Sequence, residues 1–169
     1  MRRTAELGLL LAMALILSYV ESLIPFSFGI PGIKLGLPNL IVLLLLYDGG
    51  RVREAFLLNV MRIVLSGFLF SNLYAILYAL AGAAFSFFAM LVGRRTKWFS
   101  MVGVSVLGGV LHNVGQLLVA MAVVETLAVA YYVPFLIVAG TVTGALLGFV
   151  GMEILPYLRR IGREGDAIR

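Results

Sequence analysis

The chain has 169 residues, 62% of them hydrophobic and 12% charged, with a formal net charge of +5 and no cysteine. Soluble domains average roughly 45–50% apolar and about 25% charged, and a chain this short has too little interior to hide the excess, so an ordinary soluble domain is excluded. The missing cysteines exclude disulfides, thiolate metal sites and cysteine nucleophiles.

A membrane-spanning helix needs about 20 mostly apolar residues. The chain therefore reads as an all-α membrane protein, a six-transmembrane-helix bundle forming a single domain over 1–169. The first span is expected over about 5–24. Arg2 and Arg3 ahead of an apolar stretch resemble a signal peptide. The stretch ends at Glu21 and Pro25 without a small-x-small pattern, however, and further spans follow, so it is expected to be retained. A Pro- and Gly-rich segment from Pro25 to Lys34 is expected to be irregular. The second span, about 35–47, is short; it either starts earlier or sits against that loop inside a protein-lined cavity. Asp48-Gly49-Gly50-Arg51 is a turn, the third span covers about 52–70, and Ser71-Asn72 breaks it from a fourth over about 73–92. Arg94-Arg95-Thr96-Lys97 is a polar loop, followed by spans over about 99–124 and 131–155 and a polar tail, 159–169, expected to fray.

On this layout Arg2, Arg3, Arg51, Arg53, Arg94, Arg95, Lys97, Arg159, Arg160, Arg163 and Arg169, eleven of the thirteen Lys and Arg residues, fall on one side. Short cytoplasmic loops are enriched in Lys and Arg, which predicts a multi-pass protein of the cytoplasmic membrane with both termini inside. The positive charge is then a topology signal. It is split among separate loops, so no nucleic-acid partner is expected. Trp98, Tyr47, Tyr131, Tyr132 and Tyr157 lie near span ends, as interfacial aromatic residues do.

Small residues recur every fourth position in three spans: Gly140, Gly144 and Gly148; Ala75, Ala79 and Ala83; and Gly8 with Ala12, beside Ala5. Such stripes let two helix backbones approach closely. They serve either packing within this chain or docking to another membrane subunit, the latter through Gly8 and Ala12.

Only Lys34 and Arg62 stand apart from the basic loops, and a charge at bilayer depth costs at least about 2.5–3.5 kcal/mol on insertion scales. Asn59, Arg62 and Ser66 share one face of the third span; His112 and Gln116 share a face of the fifth, with Asn113 beside them. Lys34 and Asn39 flank the outer start of the second, and Glu21 lies toward the outer end of the first. Either each group is satisfied by a neighbour, Arg62 by Glu21 for example, or they form one polar pocket opening outward. The set as a whole favours a pocket. Lys34, Asn39, Asn59, Arg62, His112, Asn113 and Gln116 are then the expected substrate-binding residues, with Phe26, Phe28 and Tyr74 as aromatic walls. A guanidinium offers a planar fork of donors, so a small anionic or strongly hydrogen-bonding molecule fits. No metal is expected, because a lone histidine without cysteine is not a metal site. No cofactor is expected either. There is no Walker motif, no GxGxxG and no nucleophile with an arguable His–acid pair, and no two of the eight acids adjoin, which leaves no DDxxD segment.

Leu11 to Glu21, then Lys34-Leu35-Gly36-Leu37-Pro38-Asn39, Asn59-Val60-Met61-Arg62 with Ser66-Gly67, and His112-Asn113-Val114-Gly115-Gln116-Leu117 carry a resemblance to a known family. Over roughly residues 5–156 the chain resembles the heptaprenyl diphosphate synthase component I family, also called the Gx transporter family. That family resembles the substrate-binding S components of energy-coupling factor (ECF) transporters. The resemblance implies a six-helix substrate-binding subunit taking a vitamin-, flavin- or isoprenoid-precursor-like ligand from the outer face. It also implies docking to a membrane coupling subunit driven by ATPases, with Gly8-x-x-x-Ala12 standing where S components carry Ala-x-x-x-Ala. The enzyme label implies instead a non-catalytic accessory subunit beside a prenyltransferase chain that holds the metals. A membrane anchor within an electron-transfer complex is a third reading.

Overall fold

The computed structural model describes residues 2–23 and 36–167, with side chains placed over 4–23 and 36–160. The described residues form six α-helices: α1 (Arg2–Leu23), α2 (Asn39–Tyr47), α3 (Val52–Phe70), α4 (Leu73–Thr96), α5 (Met101–Val124) and α6 (Val133–Ala167), with a 3-10 helix, Leu127–Tyr132, leading into α6.

Four helical stretches are long and apolar enough to cross a membrane: Thr4–Leu23, Leu73–Thr96, Met101–Val124 and Leu127–Arg160. The other two helices depart from a uniform six-span pattern for different reasons. Helix α2 has only nine residues. Helix α3 has the length, but carries Arg53, Glu54 and Arg62.

Helix α2 is buried on every side. Ile41 through Leu46 are all buried, and with Ala14, Leu58, Phe87 and Val104 they make the main core. A helix surrounded by protein is apolar all round, not amphipathic, and Asn39-Leu-Ile-Val-Leu-Leu-Leu-Leu-Tyr47 reads that way.

Helix α5 packs along both α4 and α6, and glycine makes this possible. A Cβ added at Gly140 or Gly144 would meet α5 backbone at 2.8 and 2.7 Å, and one at Gly109 would lie 2.5 Å from the Gly140 carbonyl oxygen. The stripe in the sixth helix is therefore an internal contact. The Ala stripe of α4 divides: Ala83 is buried, whereas Ala75 and Ala79 face a cavity. Gly8 and Ala12 are exposed on α1, and a Cβ at Gly8 would meet nothing within 4 Å.

The break between α3 and α4 has a local cause. The Asn72 side-chain oxygen accepts the Ala75 N–H at 2.9 Å, capping one of the four donors that a helix start leaves unpaired. Asn72→Ala is expected to lower stability by about 1 kcal/mol, read as a lower thermal unfolding midpoint in detergent. Ser100 caps α5 in the same way.

Arg51 gathers one end of the bundle. Its guanidinium donates to both Glu6 carboxylate oxygens, at 2.6 and 3.0 Å, and approaches Glu54 at 2.9 Å. The Glu6 hydrogen bond raises the Arg51 pKa above its ordinary value, so the group stays charged. Arg94 stacks over the Tyr47 ring. Helix α6 does not fray at Arg159. It continues through Pro156 to Ala167, and Arg159 donates to the Tyr47 carbonyl at 2.8 Å, tying it to the end of α2.

Candidate functional site

Away from this basic end, five helices surround a cavity of about 350 Å³. Helix α1 contributes Ser18, Glu21 and Ser22; the start of α2 contributes Gly36, Pro38 and Asn39; α3 contributes Arg62, Ser66 and Phe70. Ala75 and Ala79 of α4 and His112 and Gln116 of α5 complete the wall.

Arg62 is the electrostatic centre. Only 9% exposed, it donates from Nη2 to Asn59 Oδ1 at 2.7 Å, one turn back on the same helix face. Its Nε has no hydrogen-bond partner among the described residues, and neither does Gln116 Oε1. Buried polar atoms are almost always paired, and an unpaired one costs about 1–3 kcal/mol. Both side chains line the cavity and carry unspent hydrogen-bonding capacity beneath its surface. Glu21 lines the same cavity, close enough for its charge to act on Arg62, and its carboxylate accepts the Gly36 N–H. That bond fixes the chain at the entrance to α2.

Of the residues expected to bind substrate, Asn39, Arg62, His112 and Gln116 line this cavity. Asn59 stands behind it, buried and holding Arg62. Asn113 turns elsewhere: its amide donates to the Leu136 carbonyl at 2.9 Å, joining α5 to α6. Lys34, Phe26, Phe28 and the Pro25–Lys34 loop lie outside the described residues. Tyr74 is exposed; the aromatic residue at the cavity is Phe70 instead, whose ring meets that of Tyr19 at 5.1 Å between centroids. Ser18 and Ser22 escaped the sequence reading. Their signal is spacing, since Ser18, Glu21 and Ser22 stand at i, i+3 and i+4 on one face of α1. Among the described residues no group of three His, Asp or Glu side chains converges as metal ligands would.

The residues around this cavity lie within a larger match: 10–154 match the family described as heptaprenyl diphosphate synthase component I. The chain belongs to that family. No curated protein and no solved structure matches it. The component I match takes in all of α2 through α5, and with them every described residue of the cavity wall.

Proposed function

We propose that this chain is the substrate-binding membrane component of a small-molecule transporter, similar to an ECF S component. Its six helices would lie in the cytoplasmic membrane with both termini inside. One observation carries the reading: a cavity of about 350 Å³ walled by five helices, with Arg62 Nε and Gln116 Oε1 buried in its wall and unpartnered. That volume is in the range of small-molecule sites, roughly 300–1,000 Å³. An intramembrane ionisable group turned to a cavity is a functional group by default. In this arrangement α3 is a span that hides Arg62 against the cavity, and α2 is a partial span encased in protein. Arg51, Arg53, Arg94, Arg95 and Lys97 lie at or beyond the helix ends opposite the cavity, and Arg159 and Arg160 close the apolar stretch of α6. By the positive-inside rule that end is cytoplasmic, and the cavity opens outward. The exposed Gly8–Ala12 face of α1 is the surface offered to a membrane coupling subunit with its ATPases.

The experiment is native mass spectrometry of the protein extracted gently from its membrane. A retained small molecule is expected, and it should be absent from Gln116→Ala and His112→Ala proteins that unfold at the wild-type temperature. Retention by both variants would overturn the assignment of this cavity.

The family description favours a second reading, an accessory component of a polyprenyl diphosphate synthase acting beside a prenyltransferase. Co-purification with a soluble prenyltransferase, and loss of synthase activity on deleting this chain, would establish it.

A further inference from the structure

Beside the polar cavity lies a second one of about 390 Å³, between α4, α5 and the 3-10 helix that leads into α6. Its wall is different in kind. Leu117, Ala120, Val124, Val129 and Leu136 make it largely apolar, with Tyr78 and Tyr132 at its sides. The two cavities share Ser71, Ala75 and Gln116. The junction is set by a small side chain, Ala75, and by the buried amide whose oxygen is unpartnered. The chamber is partly open, with Val124 on its wall exposed, which leaves room for a flexible apolar chain to lie in it.

We propose that the two cavities are the halves of one site, and that its ligand is an amphiphile: an anionic, hydrogen-bonding head against Arg62 and an apolar tail between α4, α5 and the 3-10 helix. This rests on the substrate-binding reading above and names the ligand class. The head accepts from the Arg62 guanidinium, which lines the polar cavity and offers several N–H donors in one plane. The tail leaves past Ala75 and Gln116 into the apolar chamber. Because the chamber is apolar, it discriminates by shape and length, while the head supplies orientation.

The test uses the full chain in lipid nanodiscs and three probes: decyl phosphate, ethyl phosphate and 1-decanol, with empty nanodiscs correcting for partition into lipid. Wild-type protein is expected to bind decyl phosphate, and Arg62→Ala to weaken it at least about tenfold, roughly 1.4 kcal/mol. Ala120→Phe fills the apolar chamber from α5, and Val129→Trp fills it from the 3-10 helix. The second guards against a failure of the first to fold. Either should weaken decyl phosphate about tenfold or more while leaving ethyl phosphate binding at its wild-type value. If both variants bind decyl phosphate as wild type does, the chamber holds no tail and the proposal falls, although Arg62-dependent binding of ethyl phosphate would leave the polar site standing. If 1-decanol binds as tightly as decyl phosphate and independently of Arg62, the chamber is a separate groove for lipid chains, which also overturns it. If neither phosphate binds in an Arg62-dependent way, the anionic head is wrong.

Discussion

Arg62→Ala is expected to leave a folded, membrane-inserted protein that no longer holds its ligand, with a loss of roughly 2–5 kcal/mol of binding free energy, as when one side of a buried charge pair is truncated. The structure argues for this division of effects. The guanidinium is buried, donating to Asn59 Oδ1 at 2.7 Å, with its Nε unpaired among the described residues. Removing it leaves the Asn59 oxygen short of a hydrogen bond, at about 1–3 kcal/mol. It also relieves a desolvated cation that costs at least about 2.5 kcal/mol at membrane depth. Glu21 keeps its bond from the Gly36 N–H but loses the opposing charge of Arg62, which works against that relief, so thermal stability without ligand should change little. Arg62→Lys keeps the charge but loses the planar fork and should restore binding only in part. Ligand retention by native mass spectrometry, set beside thermal unfolding of the same samples, separates the roles. A large loss of stability with ligand still bound would make Arg62 a helix-register residue.

Gly144→Val should do severe structural damage to the contact between α5 and α6. A Cβ there meets the Ser105 carbonyl oxygen and the Val106 Cα, both at 2.7 Å, and neither is a flexible side-chain tip that can turn away. Helices α5 and α6 must separate, and overpacking of this kind costs about 1–3 kcal/mol, occasionally more. That corresponds to a drop in unfolding midpoint on the order of 5–10 °C. The separation also pulls Asn113 from the Leu136 carbonyl. Gly8→Ala is the matched control, because its added methyl meets open space and should stay within about 0.5 kcal/mol of wild type. Equal behaviour of the two would refute a close α5–α6 contact.

Much of the helix layout can be read along the chain, because its punctuation is chemical. Asp48-Gly49-Gly50 takes two positive-φ glycines to turn from α2 into α3, and Asn72 stops one helix and caps the next. Two features are less legible. Hydropathy marks α2 as apolar, but cannot separate a short span from a helix encased by its neighbours; only the burial of six consecutive residues does that. Composition also sees α3 as too charged to cross, although Arg62 is turned inward. For the cavity, helical spacing groups Asn59, Arg62 and Ser66, and His112 with Gln116. It does not say that Asn113, one residue on, faces α6 instead. Nor does the four-residue repeat of alanine reveal that Ala75 and Ala79 border empty space while Ala83 is packed.

The brevity of α2 has a further consequence. Nine residues rise only about 13–14 Å, less than half of a hydrocarbon layer of about 30 Å. In the proposed orientation the cavity would open to the exterior, aqueous ions would reach down to Asn39, and the buried run Ile41 to Leu46 would form the insulating plug beneath. The membrane voltage would then fall mainly across that plug. A charged ligand would enter the cavity almost free of electrical work. Nearly all of the roughly 2.3 kcal/mol per charge per 100 mV would be met in one step, when the ligand passes α2 toward the cytosol.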